Sequence, residues 1–265
     1  MRYSFCFILI CAVLFSVNAA EKVVESTGML SYQTTAEFQS QWIPVVKPSA
    51  GNERRFFPAK APDGTSAMCA GRFGKNTIPT GWFMFGDGAT GTGVLFDVSG
   101  AGEENAFTAQ VDFLFHRQHK RPVERIDISL NVLSADQKTA YFVSFYTNSD
   151  IWNKNNFKMQ QIDLNNLSKK PKLILWKTVD AKLEKGAWYR LKMTMVRMNT
   201  TPRSPVKLKF ALYEIANKKS GGADGKCIAE AISKIMPNLG DKIKFAITEP
   251  ALPPYVIFLN NTLWA

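Results

Sequence analysis

The amino-acid sequence predicts an all-β protein, an antiparallel β-sandwich of the jelly-roll type with little helix. Three observations carry this prediction. Apolar residues recur at every second position in most segments, as in strands that bury one face. Turn-forming glycine, proline and aspartate residues separate these segments at short intervals. Helical periodicity is nearly absent, and many strands without alternating helices indicate two packed antiparallel sheets.

The clearest alternation lies in two segments in the middle of the chain. Within Asn105–His116 the odd positions from Phe107 onward are apolar, and the even positions from Thr108 onward are polar except at Leu114. Within Arg125–Val132 the even positions are apolar instead. We therefore predict two strands that each bury one face against a core. The same pattern predicts strands over residues 67–73, 81–85, 92–98, 140–147, 172–179, 188–196, 205–213, 242–248 and 255–263.

Two segments carry a helical signal. Thr34–Gln41 is short and predicts a single helical turn. Cys227–Met236 has apolar residues at helical spacing, but the turn signal Asp224-Gly225 stands just before it. We therefore predict a strand for the second segment.

The N-terminus has the three-part layout of a secretory signal peptide. Met1-Arg2 supplies positive charge, residues 4–17 contain almost nothing polar, and Val17-Asn18-Ala19 supplies a small-residue cleavage site. The apolar run is about a dozen residues, shorter than the roughly twenty that span a bilayer as a helix. We predict that residues 1–19 are a signal peptide and that residues 20–265 form one domain. The mature protein is expected to be secreted, periplasmic or in the cell envelope, without a membrane span.

The mature chain is strongly basic. Its formal net charge of +11 falls to +10 when Arg2 leaves with the signal peptide. A basic balance favours anionic partners, an acidic polysaccharide among them. The lysines are scattered and form no basic tract, so ordinary solubility is the alternative explanation and no nucleic-acid partner is expected.

Two cysteines remain after removal of the signal peptide. Cys69 and Cys227 are an even pair in an oxidising compartment, so a disulfide bond between them is one candidate and two buried thiols are the other. No catalytic residue and no cofactor is predicted. A transition-metal site is not predicted either, because the chain has only two histidines as candidate ligands of that type. A structural calcium ion is left open, with ligands drawn from the loop carboxylates Asp87, Asp97, Glu103 and Glu104.

The pattern of strands in the C-terminal half carries a family resemblance. The residues concerned are 186–193, 206–213, 225–229 and the closing strand 255–263. They resemble the concanavalin-A-like lectin/glucanase domains (jelly-roll, LamG-like) of secreted bacterial proteins, and the likeness is one of fold. The closing strand departs from that family, because Leu259 and Asn260 stand where an aspartate is expected. The resemblance implies a jelly roll whose concave sheet binds a sugar chain, although a fold alone does not fix a function.

The predicted strand over residues 125–132 can be compared with the catalytic strand of glycoside hydrolases of this family. Laminarinase-type members of the family place two catalytic glutamates on one strand, in the order Glu-apolar-Asp-apolar-x-Glu. In the similar segment of this chain Asp127 matches the central aspartate, but Arg125 and Leu130 occupy the two glutamate positions. A hydrolase of this fold needs both carboxylates, so the resemblance implies a member that does not hydrolyse glycans.

A hairpin between the two central strands would gather the candidate ligand-binding residues on one polar face. Their polar positions would then lie side by side, away from the core, with a basic tip between the strands. Two aromatic residues complete the candidate set: Tyr146 on a neighbouring predicted strand and Trp152 in a polar loop. The candidate ligand-binding residues are Gln110, Asp112, His116, Arg125, Asp127, Asn131, Tyr146 and Trp152.

The expected function is the binding of a polysaccharide or oligosaccharide by an exported domain without catalytic machinery. A polysaccharide lyase is the enzymatic alternative, because His116, Arg125 and Tyr146 are residue types that neutralise a uronate and abstract a proton. The strand motifs of alginate lyases are absent from the sequence. A glycoside hydrolase of the same fold, or an envelope protein whose sandwich makes protein–protein contacts, completes the alternatives.

Overall fold

The chain forms two antiparallel sheets, so the predicted all-β sandwich is confirmed. Every strand pair is antiparallel among the residues described. The computed structural model describes residues 34–45, 56–71, 81–98, 106–117, 126–148, 154–179, 183–184, 186–198, 205–233, 239–249 and 255–264.

The first sheet has nine strands. Two short strands lie beside the main path: β5 (Thr92–Gly93) pairs with β4 (Gly81–Asp87), and β6 (Phe96–Asp97) pairs with β15 (Lys242–Glu249). The main path runs in the order β1 (Trp42–Pro44), β4 (Gly81–Asp87), β15 (Lys242–Glu249), β8 (Ile126–Ser134), β9 (Thr139–Asn148), β10 (Lys154–Asp163) and β11 (Lys172–Val179).

The second sheet has seven strands, and the last strand of the chain lies inside it. The order is β14 (Asp224–Ile232), β13 (Val206–Ile215), β12 (Tyr189–Arg197), β7 (Phe107–Arg117), β16 (Tyr255–Trp264), β3 (Ser66–Gly71) and β2 (Phe56–Lys60).

A single helix precedes the first strand among the described residues. This helix, α1, spans Thr35–Gln41 and confirms the predicted helical turn. Its start is capped reciprocally: the Glu37 amide donates to Thr34 Oγ1 at 3.1 Å, and the Thr34 amide donates to Glu37 Oε2 at 3.1 Å. None of the described helices is long and apolar enough to cross a membrane.

The core lies between the sheets and is rich in aromatic side chains. Phe157 on β10 is fully buried and makes an edge contact with Phe145 on β9, with ring centroids 5.6 Å apart. Its ring also approaches Phe210 on β13 of the opposite sheet, at 6.4 Å. Aromatic pairs at these separations add to the burial of apolar area. Phe157 therefore joins the two layers.

The strands that end each sheet carry features that disfavour further pairing. Pro44 and Pro58 lie in the end strands β1 and β2 and have no amide hydrogen to donate. Strand β14 contains two register irregularities. On β11, Lys177 is paired with the core residue Phe157 and so faces the space between the sheets, where its Nζ donates to the Glu230 carbonyl of β14 at 2.7 Å.

Candidate functional site

The two central strands do not form the predicted hairpin. Strand β7 pairs with β12 and β16, whereas β8 pairs with β15 and β9 in the other sheet. Both strands bury their apolar side in the same core, Val111 from one sheet and Leu130 from the other. Their polar sides therefore face away from each other, and the predicted pairing of His116 with Arg125 is wrong.

The candidate residues separate into two groups as a result. Asp127, Asn131 and Tyr146 take outer-face positions on the nine-stranded sheet, and Asp127 is directly opposite Tyr146. Two further candidates, Arg125 and Trp152, lie outside the described residues. Gln110, Asp112 and His116 take outer-face positions on the seven-stranded sheet.

Asp112 belongs to a buried ion-pair network. Its carboxylate accepts hydrogen bonds from Arg190 Nε at 2.7 Å and Arg190 Nη2 at 3.0 Å. Two residues in the connection between β13 and β14 donate to the same carboxylate. Ser220 Oγ lies 3.1 Å from Asp112 Oδ2, and the Gly221 amide nitrogen lies 2.8 Å from it. Asp112 is fully buried, so these donors hold it as part of the framework. Its role as a ligand contact stays a prediction.

Asp224 continues this network at the surface. It accepts from Arg190 Nη1 at 2.7 Å and from Lys192 Nζ at 3.2 Å. Burial alone would raise the pKa of the Asp224 carboxyl, but the hydrogen bonds and positive charges of Arg190 and Lys192 outweigh burial and lower that pKa below its usual 3.8. Arg190 and Lys192 are thus paired with the carboxylates of Asp112 and Asp224 on this part of the seven-stranded sheet.

The two other candidates on the seven-stranded sheet also stay predictions. Gln110 is almost entirely buried and lies directly opposite Lys192. His116 is opposite Val256 on β16, and its side chain lies outside the described residues.

The outer face of four adjacent strands of the nine-stranded sheet, β8 to β11, is mostly polar. The registers of these strands align its residues in three rows that cross the strands. We call the three rows the outer strip. They are Asp127, Tyr146, Asn156 and Thr178; Ser129, Ser144, Lys158 and Trp176; and Asn131, Phe142, Gln160 and Leu173.

Exposure within the outer strip increases from β8 towards β11. Asn131 and Ser144 are buried, and Ser144 Oγ is hydrogen-bonded to Ser129 Oγ. Lys158 on β10 is half-buried, and Trp176 on β11 has 50% of its surface exposed. A ligand would therefore meet β10 and β11 first.

The outer strip is chemically suited to hold a polyhydroxylated molecule. Hydroxyl and amide groups supply both donors and acceptors, as between Thr178 Oγ1 and Asn156 Oδ1 at 2.9 Å. The indole of Trp176 offers a flat apolar surface with a polar edge, and Lys158 adds a positive charge. Within these described rows Asp127 is the one carboxylate, whereas glycoside hydrolysis uses two.

Strand β10 was not predicted from the sequence, although it contributes three residues to the outer strip. Its polar run includes Lys158 and Gln160 and has the composition of a loop. A signal was nonetheless present: Phe157 and Met159 are apolar at alternate positions, and both are fully buried.

Of the two alternatives for the cysteines, the disulfide bond does not fit the strand order, and a buried thiol does not fit Cys227. Cys69 lies on β3 and Cys227 on β14, which are five strand steps apart in the same sheet. At about 4.8 Å per step, the path along the sheet is about 24 Å, whereas bonded cysteines have Cα atoms within about 7 Å. Cys227 is an exposed free thiol, with its Sγ 3.6 Å from the Ala229 carbonyl oxygen.

The calcium ion stays a prediction. The described residues include no group of three or more histidine, cysteine, aspartate or glutamate side chains placed to hold a metal. Asp87 is engaged by its own turn, where its carboxylate accepts from the Ala89 amide and from Thr90 Oγ1, both at 2.9 Å. Glu103 and Glu104 lie outside the described residues.

Comparison with known proteins shows similarity of architecture. No protein-family model and no curated protein matches the chain. Among solved structures, the marine PL-14 alginate lyase from Aplysia kurodai has a TM-score of 0.47 and 8% identity, covering 80% of this chain and 87% of its own. A family 7 alginate lyase has a TM-score of 0.45 and 10% identity, covering 86% and 93%. Basic winged bean lectin has a TM-score of 0.43 and 12% identity, covering 89% and 95%.

These lyases and lectins are concanavalin-A-like jelly rolls, the fold that the sequence resembles. At this level of identity and TM-score the likeness concerns the fold alone. It identifies neither a ligand nor a reaction for this chain.

Proposed function

We propose that this chain is an exported protein that binds an acidic polysaccharide on the outer strip without cleaving it. The observation that carries the proposal is the row formed by Ser129, Ser144, Lys158 and Trp176. It joins a half-exposed indole to a lysine and two hydroxyl groups on adjacent strands.

The more exposed members of the outer strip can interact with a sugar in distinct ways. The face of Trp176 can cover the apolar C–H side of a pyranose ring, and burial of that surface favours binding. Gln160 on β10 and Thr178 on β11 can exchange hydrogen bonds with sugar hydroxyls. Ser129 and Ser144 are buried and hydrogen-bonded to each other, so they support the strip from below. The contacts of the exposed members serve neutral and acidic sugars alike.

Positive charge supports the choice of an acidic glycan. Lys158 is directly opposite Trp176, so a carboxylate or sulfate on a stacked sugar would lie within reach of its ammonium. Lys172 is exposed at the start of the same β11 strand. The formal charge of the chain is +11, or +10 after loss of Arg2 with residues 1–19, and it adds a long-range attraction to polyanions.

Trp176→Ala is expected to weaken binding to alginate or polygalacturonate by about 2 kcal/mol, or roughly thirtyfold in Kd, since buried tryptophans dominate binding energies. Lys158→Ala should weaken binding mainly at low salt and reduce its salt dependence. Isothermal titration calorimetry against both acidic polymers and against neutral galactomannan measures these effects.

Lys207→Ala is the matched control for charge. Lys207 lies on the outer face of the seven-stranded sheet, opposite Val196, and its loss changes the net charge as Lys158→Ala does. Equal loss of affinity in both lysine variants, with no effect of Trp176→Ala, would move binding away from the outer strip. Unsaturated sugar products detected by ultraviolet absorbance would show that the protein is a lyase instead.

Export is the second part of the proposal, and it rests on the sequence of residues 1–19. The mature protein recovered from outside the cytoplasm is expected to begin at Ala20 or Glu21. Intact-mass spectrometry with N-terminal peptide mapping measures this. Recovery of mature protein that still carries Met1 would contradict it.

A further inference from the structure

A β-bulge interrupts the pairing of β10 with β11 within the outer strip. Met159 is opposite Leu175, but the next residue of β10, Gln160, is opposite Leu173. Ile174 is thus an extra residue of β11 between two successive pairs. A bulge of this kind redirects the side chains on one side of it relative to those on the other.

The bulge brings Leu173 to the same face of the sheet as Trp176. In a regular strand, residues three positions apart point to opposite faces. Here Ile174 and Leu175 both pack against the main core, and Leu173 lies opposite the outward-facing Gln160. Leu173 is 52% exposed and Trp176 is 50% exposed. Two half-exposed apolar side chains therefore stand on the outer face of this end strand.

The polar neighbour of Leu173 in its row is Gln160. Gln160 lies between Leu173 on β11 and Phe142 on β9, and both Gln160 and Phe142 are partly buried. Within the described part of the chain, no hydrogen bond engages the Gln160 side chain. Its amide can donate and accept. An amide between two apolar side chains matches a ligand group that combines a carbonyl oxygen with a methyl group.

Leu173 and Trp176 are separated by a distance comparable to one sugar unit. Their partners on β10, Lys158 and Gln160, are two residues apart, which is about 7 Å along the strand. A sugar ring stacked on Trp176 would therefore place the next unit of the polymer near Leu173. Burial of apolar surface at that point favours a substituent with a methyl group.

We propose that Leu173 and Gln160 bind an acetyl group on the sugar next to the one stacked on Trp176. The acetyl methyl packs against Leu173, and the acetyl carbonyl oxygen accepts a hydrogen bond from the Gln160 amide. The preferred ligand is therefore an acidic polysaccharide that is also acetylated. This inference rests on the proposed function of the outer strip, and it adds the class of polysaccharide that the strip selects.

The test compares O-acetylated bacterial alginate with the same polymer after mild alkaline deacetylation. Deacetylation leaves the uronate charges in place, so Lys158 attracts both polymers alike. In calorimetry the wild type is expected to bind the acetylated polymer roughly tenfold more tightly, because one methyl group is buried and one hydrogen bond is added. Leu173→Ala should reduce this ratio to about twofold or threefold. Gln160→Ala should also reduce it, to about threefold.

Leu167→Ala is the matched control, because Leu167 is 51% exposed but lies in the turn between β10 and β11. It should keep the wild-type ratio of affinities. Trp176→Ala should weaken the binding of both polymers and retain the preference for the acetylated one.

Two results would overturn the inference and leave glycan binding intact. One is equal affinity of the wild type for the two polymers. The other is the same ratio of affinities in Leu173→Ala as in Leu167→Ala. Absence of binding to both polymers would overturn the proposed function for this glycan and the inference with it.

Discussion

Asp112→Ala is expected to lower the free energy of unfolding by about 3–5 kcal/mol, because it leaves the buried Arg190 guanidinium without its main partner. Arg190 donates two hydrogen bonds to Asp112, and the two side chains are 6% and 0% exposed. The Ser220 and Gly221 donors would also lose their acceptor. Urea denaturation followed by circular dichroism measures the loss.

Glu230→Ala is the control for this prediction. Glu230 pairs with Lys209 at 3.0 Å, but both side chains are about half exposed, and exposed pairs contribute only about 0–1 kcal/mol. The double variant Asp112→Ala/Arg190→Met should recover part of the lost stability, because it removes the uncompensated charge. A stable Asp112→Ala protein with impaired glycan binding would instead return Asp112 to the role of a ligand contact.

Phe157→Ala is expected to cost about 3–5 kcal/mol, the usual range for deleting a buried aromatic ring. The ring is fully buried and contacts Phe145 in its own sheet and Phe210 in the other, so its removal leaves a cavity between the layers. Thermal and urea unfolding measure the change, and the dependence on urea concentration should keep its wild-type slope.

Gln160→Ala on the same strand serves as the control. Gln160 faces outward and is only partly buried, so its replacement should change stability by about 0.5 kcal/mol or less. Equal effects of the two substitutions would mean that β10 does not bury its odd-numbered side in the core. That result would also remove Lys158 and Gln160 from the outer strip.

Alternation in the sequence predicted the buried sides of β7 and β8 correctly, but not their partners. Phe107 and Val111 on β7, and Leu130 and Val132 on β8, are buried as expected. Period two fixes which side of a strand meets the core, and it contains no information on which strand lies beside it. The hairpin prediction failed because eight residues separate the two strands, enough for the chain to cross from one sheet to the other.

The candidate site could be predicted only in part for the same reason. Asp127, Asn131 and Tyr146 were selected as polar or aromatic residues on strands, and the structure gives all three positions on one face. Lys158 and Trp176 were missed, because their alignment with Ser144 follows from strand registers. Residues of one row are separated by long stretches of sequence, so no local motif reveals them.

The lysine that bridges the two end strands has a consequence for self-association. The open edge of an end strand is where intermolecular sheets begin to grow. Another molecule adding a strand beside β14 would have to displace the Lys177 ammonium from the Glu230 carbonyl and follow two irregularities of register. Proline residues in β1 and β2 place similar obstacles at the opposite ends of the sheets. These features disfavour the growth of fibrils from β14, β1 and β2.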